Sequence, residues 1–198
     1  MTTNYAVLSE NLEGFYDFTD KVILLVGAGT GTLLPSELRL KKLIAVDRSA
    51  GALADSKGKL SQIRSRHPLE IIPAKFESVF LFADVVYFEF SLHEIVDPKL
   101  ALTHARGMAP DIVVFDHSPN SDWAFHTGEE HMVRRSSLAM KRFRIRRRKV
   151  LQVEQRFADY PELFSKVSAQ GPIAARRANS YLGAENIIIP MRCQLVLL

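Results

Sequence analysis

The apolar run Val22-Ile-Leu-Leu-Val26 ends in three glycines at alternate positions, Gly27, Gly29 and Gly31, and no other stretch constrains the fold as tightly. A short apolar run bounded by glycine reads as a strand buried on both faces, as in parallel sheets covered by helices. Glycines directly after such a strand leave no side chain between backbone and ligand, and they tolerate positive φ in the turn. A second run, Leu43-Ile-Ala-Val46, ends in Asp47, sixteen residues beyond Gly31. A carboxylate there can accept both hydroxyls of a ribose. The pair predicts a site for an adenosine-bearing small molecule.

Apolar and amphipathic segments then alternate. Residues 69–73, 84–90 and 111–115 read as further buried strands. Residues 4–19 read as a helix carrying Tyr5, Phe15, Tyr16 and Phe18, and residues 33–40 as a short helix with Pro35 tolerated in its first turn. Ser49 stands at a cap position for a helix running to Arg66 and ended by Pro68. The C-terminal part reads as a strand over 150–157, a helical insertion over 160–179 within the segment 158–182, and a last strand over 186–198 with Pro190 at a bulge or an edge. This alternation predicts an α/β fold, a doubly wound, mostly parallel sheet.

The 198 residues suit one domain, with 1–20 as an N-terminal lid. The first residues lack a basic and then apolar leader pattern, and no apolar stretch is long enough to span a bilayer. Cys193 is the only cysteine, so neither an internal disulfide nor a thiolate metal cluster is expected. The expectation is a cytoplasmic protein; its oligomeric state stays open.

Spacing separates two owners of such a turn. The dinucleotide fingerprint G-x-G-x-x-G needs glycine at position 32, where Thr32 stands. The pattern here is G-x-G-x-G. Together with Asp47 and the segment Phe90-Ser-Leu-His93-Glu94-Ile95 at the end of the fourth strand, it resembles the class I S-adenosylmethionine-dependent methyltransferases, in particular the branch of the ubiquinone- and menaquinone-biosynthesis enzymes. The resemblance spans roughly residues 20–117. It implies a seven-stranded Rossmann-like sheet of order 3-2-1-4-5-7-6 and S-adenosylmethionine as cofactor. It also implies that Gly27, Gly29 and Gly31 hold the methionine end, that Asp47 holds the ribose, and that the neighbourhood of Phe76 and Glu77 holds adenine, with Arg48 and Phe90 completing the cofactor set. One departure stands out: the family's aspartate and small residue after the third strand are replaced by Ala74-Lys-Phe-Glu77.

His93 and Glu94 are the candidate catalytic residues, because open α/β sheets bind ligands at the carboxyl ends of their strands near the switch point. An imidazole suits removal of a proton from an oxygen or nitrogen acceptor at neutral pH. The alternative is that His93 caps the next helix or orients Glu94. Asp116, His117, Trp123 and His126 follow the fifth strand and, with Tyr16 from the N-terminal segment, form the expected acceptor pocket. Asp116, His117 and Asp122 are competent metal ligands, but their spacing matches no metal signature and no metal is expected. Thr127 and Glu130 read as a capping box.

Residues 134–149 hold nine basic residues and no acid, leaving the rest of the chain at a formal −5. This run reads as a solvated helix face or as a contact for an anionic partner: nucleic acid, an anionic membrane or an acidic substrate. No RNA-binding signature accompanies it. The expected function is methyl transfer from S-adenosylmethionine to a small-molecule acceptor by in-line displacement. The alternatives are an RNA or protein methyltransferase using the basic segment, a non-catalytic cofactor-binding partner, and a different displacement on the same fold.

Overall fold

The apolar runs become the parallel centre of one sheet. The computed structural model describes residues 2–3, 5–30, 32–35, 37–55, 60 and 67–198. Its elements are β1 (Thr2–Thr3), α1 (Tyr5–Glu13), β2 (Val22–Val26), β3 (Lys42–Asp47), α2 (Ala50–Asp55), β4 (Leu69–Pro73), β5 (Val85–Glu89), α3 (Pro98–Met108), β6 (Asp111–His117), α4 (Asp122–Thr127), α5 (Glu130–Met140), β7 (Arg147–Asp159), α6 (Tyr160–Ser168), α7 (Pro172–Ala178) and β8 (Glu185–Leu197). Among the described residues the sheet order is β1-β7-β8-β6-β5-β2-β3-β4. Strands β4, β3, β2, β5 and β6 pair in parallel, and β8 runs antiparallel to both β6 and β7. With the two-residue β1 set aside, this is the expected 3-2-1-4-5-7-6 order. β1 adds an antiparallel edge on β7.

Alternate strand residues feed two cores. Ile23, Leu25, Leu43, Ala45, Tyr87 and Phe115 pack on Leu8 and Leu12 of α1 and on Leu163 and Val167 of α6. Leu24, Val26, Ile44, Val46, Phe88 and Val114 pack on Ala101, Leu102 and Ala105 of α3 and on Met140 of α5. Each fully buried aliphatic or aromatic side chain contributes about 1.5–3 kcal/mol. The strand centres therefore carry the fold, and their carboxyl ends are free to hold polar groups. No described helix is long and apolar enough to cross a membrane.

The structure corrects several expectations. Residues 33–40 form no helix among the described positions. Pro35 disfavours helical geometry at Leu34, and the buried Glu89 takes over the backbone: it accepts from Thr32 Oγ1 at 2.9 Å and from Leu33 N at 2.9 Å. α1 ends at Glu13, well short of residue 19. Ser49 does cap α2, accepting from Ala52 N at 3.1 Å, but positions 56–59 and 61–66 of the expected helix lie outside the described residues. Thr127 does not start a helix. It closes α4, Gly128 follows at φ 81°, and α5 starts afresh at Glu130. α3, absent from the sequence reading, is capped by Asp97, which accepts from Leu100 N at 2.9 Å, so Asp97 and not His93 caps the next helix.

The basic segment is not one helix face either. It spans the end of α5, a turn and the start of β7. Three of its arginines hold the fold: Arg135 donates to Ile95 O, Arg146 pairs with Asp111, and Arg147 donates to Phe15 O. Pro190 lies where β8 has outrun β6, whose pairing covers only Cys193–Leu197, so that stretch of β8 has β7 as its one sheet neighbour.

Candidate functional site

The carboxyl ends of β2 and β3 and the segment after β4 enclose a cavity of about 430 Å³, lined among others by Gly27, Asp47, Arg48, Phe76, Glu77 and Glu94. Gly27 has φ 88°, and a Cβ there would lie 2.4 Å from Ser91 Cβ. Handedness and space both exclude a side chain. At Gly29 space alone does so, with a Cβ falling 2.6 Å from Ala52 Cβ and 2.8 Å from Asp47 Oδ2. Gly31 lies outside the described residues. Asp47 accepts from Gly29 N at 2.9 Å through Oδ2 and from Ser49 N at 2.8 Å through Oδ1. A carboxylate has about four acceptor sites, so both oxygens keep capacity for hydroxyl groups while the backbone fixes their orientation.

The segment after β5 divides its residues between two sides. Ser91 turns toward the glycine turn and donates to Val26 O at 2.7 Å. Phe90 adopts φ 46°, a strained conformation for a bulky residue. Its ring packs on Phe115 and His117, at 5.0 and 5.1 Å between centroids, and is not among the residues lining the cavity. Glu94 lines the cavity. Burial raises its carboxyl above the ordinary range, against the lowering influence of His93 and Arg48.

His93 faces the other way, into a buried polar cluster. Its Nδ1 lies 2.5 Å from Asp116 Oδ1, and its backbone N donates to Asp116 Oδ2 at 3.0 Å. Its Nε2 lies 3.8 Å from Glu129 Oε2, and Thr127 Oγ1 donates to that same oxygen at 2.8 Å. Burial opposes the charged His93 ring, but Asp116 outweighs it, with Glu129 and Glu94 adding, and the pKa rises to about 9. Burial likewise works to raise the Asp116 carboxyl, yet the His93 ring beside it and the His117 N–H hold it below its usual value. His117 is pushed down to about 4 by burial.

The expected acceptor residues scatter. Asp116 and His117 join His93. Tyr16 donates to Asp111 Oδ2 at 2.6 Å, at the amino end of β6 and thus at the opposite edge of the sheet from the cavity. Trp123 is 7 % exposed and stacks on Phe157 in the core. His126 is half-buried, 3.3 Å from Tyr181 Oη, and burial lowers its pKa. Asp122 is exposed and acts electrostatically on His126. Sequence reasoning missed Glu89, Ser91 and Glu129. A lone acid closing the apolar run Val85–Phe88 was a readable signal for Glu89; Glu129 was masked by its neighbour Glu130, which fitted a capping box.

No protein-family profile matches the chain, and no curated relative does. Solved structures do. A Bacillus halodurans C-125 protein named as a candidate methyltransferase is 11 % identical with a TM-score of 0.67, covering 98 % of this chain and 97 % of that one. Magnesium protoporphyrin IX methyltransferase from Synechocystis, solved with bound S-adenosylmethionine, is 11 % identical with a TM-score of 0.55 over 97 % of this chain and 77 % of that one. The [4+2]-cyclase SpnF is 13 % identical with a TM-score of 0.57 over 96 % and 79 %. The chain has the fold of the class I S-adenosylmethionine-dependent methyltransferases.

Proposed function

We propose that the protein binds S-adenosylmethionine in the cavity at the ends of β2, β3 and β4 and transfers its methyl group to a small-molecule acceptor. The observation that carries this reading is the preset Asp47 carboxylate, held by two backbone N–H groups beside a glycine turn that has no room for a Cβ. In this reading Asp47 takes the ribose hydroxyls, Phe76 offers an apolar face to adenine, and Gly27 clears the backbone for the amino-acid end. When bound, the sulfonium supplies an already activated methyl group, leaving the protein chiefly to align the acceptor and exclude water. Glu94 is the cavity carboxylate assigned to accept the proton that the acceptor gives up. His93 is not in that position: its Nδ1 is bound to Asp116 and the residue is 2 % exposed.

Calorimetric titration with S-adenosylmethionine and S-adenosylhomocysteine tests the cofactor. Hydrogen bonds to a charged acceptor contribute about 1.5–3 kcal/mol each, so Asp47→Ala is expected to weaken binding by roughly tenfold to over a hundredfold. Absence of binding to the wild type removes the reading. A cyclase on the same fold shows why turnover with candidate acceptors has to be measured as well.

A further inference from the structure

We propose that His93, His117 and Glu129 form a binding site for a divalent transition-metal ion of the zinc class. One ligand atom from each lies within 4.8 Å of the others, and all three residues are buried. They come from three separate places in the chain: the segment after β5, the last residue of β6, and the residue just beyond the αL break at Gly128. That break is what carries Glu129 inward, where Thr127 steadies its carboxylate. A helix continuing from Thr127 would have no such turn.

The surroundings are those of a metal centre. Histidine ligands generally donate their second ring N–H to a carboxylate, which fixes the tautomer. His93 does so through Nδ1 to Asp116, leaving Nε2 toward Glu129. The His117 Nδ1 is buried with no hydrogen-bond partner among the described residues, a costly state for an interior polar atom. Asp116 and Glu129 are two buried carboxylates whose ion-pair partner among the described residues is the single His93 ring, which gives up its proton when it ligates. A dication would balance both.

Distances and donor type agree. Three atoms no more than 4.8 Å apart have a common centre within about 2.8 Å of each. A shift of less than about an ångström brings them to the roughly 2.0–2.2 Å of zinc ligands. Two imidazoles and one carboxylate suit Zn²⁺, Co²⁺ or Fe²⁺ over Mg²⁺ or Ca²⁺, and three protein ligands leave a coordination position open. The proposal does not depend on what the neighbouring cavity holds.

The test is metal uptake by the full chain. Chelator-stripped protein titrated with Co²⁺ is expected to develop visible d–d absorption that saturates at one equivalent and is bleached by Zn²⁺. His117→Ala and Glu129→Gln are each expected to weaken uptake at least tenfold, and Asp116→Asn by about 10–100-fold. Asp122→Asn, which alters an exposed acid outside the cluster, should bind as the wild type does. Wild-type protein that shows no saturable band and retains no Zn²⁺ through gel filtration overturns the site, whatever the variants do. Equal uptake by all variants overturns it too, since the ion is then held elsewhere. Circular dichroism of each variant separates loss of ligand from loss of fold.

Discussion

The contact between Gly27 and Ser91 can be dissected by a double-mutant cycle. Gly27→Ala places a Cβ at φ 88°, 2.4 Å from Ser91 Cβ and 2.9 Å from Ser91 Oγ, with Glu89 O next at 3.2 Å. Left-handed backbone costs an L-residue about 1–2 kcal/mol, and overpacking a tight site adds about 1–3 kcal/mol. In a Ser91→Gly background the two closest atoms vanish, leaving the backbone cost and the 3.2 Å approach to Glu89 O. The predicted coupling is therefore about 1–3 kcal/mol, with the alanine less harmful in the double variant than alone. Urea unfolding monitored by Trp123, the single tryptophan, buried against Phe157, reads this directly. A coupling below about 0.5 kcal/mol, the level of independent sites, would refute the steric argument and leave handedness as the only reason for glycine here.

Three further outcomes are expected. In chelator-treated protein, stability has two pH limbs. His117, with a folded pKa of about 4 against 6.5 unfolded, makes stability fall as pH drops from 6.5 toward 4. His93, with a folded pKa of about 9, contributes fully below 6.5 and loses that contribution as pH rises through 9. Urea midpoints across pH should show both, with His117→Gln flattening the acid limb and His93→Gln the alkaline one. Glu89→Ala leaves Leu33 N and Thr32 Oγ1 without their acceptor, so a loss of about 1–3 kcal/mol is expected, together with weaker S-adenosylhomocysteine binding; unchanged affinity would detach the 32–34 segment from the cavity. Glu94→Gln is expected to lower turnover by about 10²–10⁴-fold while calorimetry finds S-adenosylhomocysteine affinity near the wild-type value. Turnover equal to wild type returns Glu94 to a role in shaping the cavity.

The sheet centre and the edge that carries the cavity were legible because their signals are local: a run of apolar residues, glycines at a strand end, an acid at a strand tip. Gly27, Asp47, Arg48, Phe76, Glu77 and Glu94 line one cavity at that edge. The histidine cluster was only half readable. His93 and His117 stand out in any scan, but their partner Glu129 reaches them only because Gly128 interrupts the helix. Tyr16 misled for a related reason: its helix ends at Glu13, and the following residues drop to the far edge of the sheet. Residues 33–40 looked helical by composition. There a buried carboxylate 56 residues away competes for the backbone and wins.

The first strand of the chain pairs with one that is made much later. Thr2 and Thr3 pair with Arg156 and Gln155, and Phe15 O is bonded by Arg147 across 132 positions. A ribosome delivering this chain releases α1 long before β7 exists. Closure across such separations is slow, so the β1 edge and the Phe15 clasp form late, whereas Leu8 and Leu12 can settle on β2, β3 and β5 as soon as those strands are made.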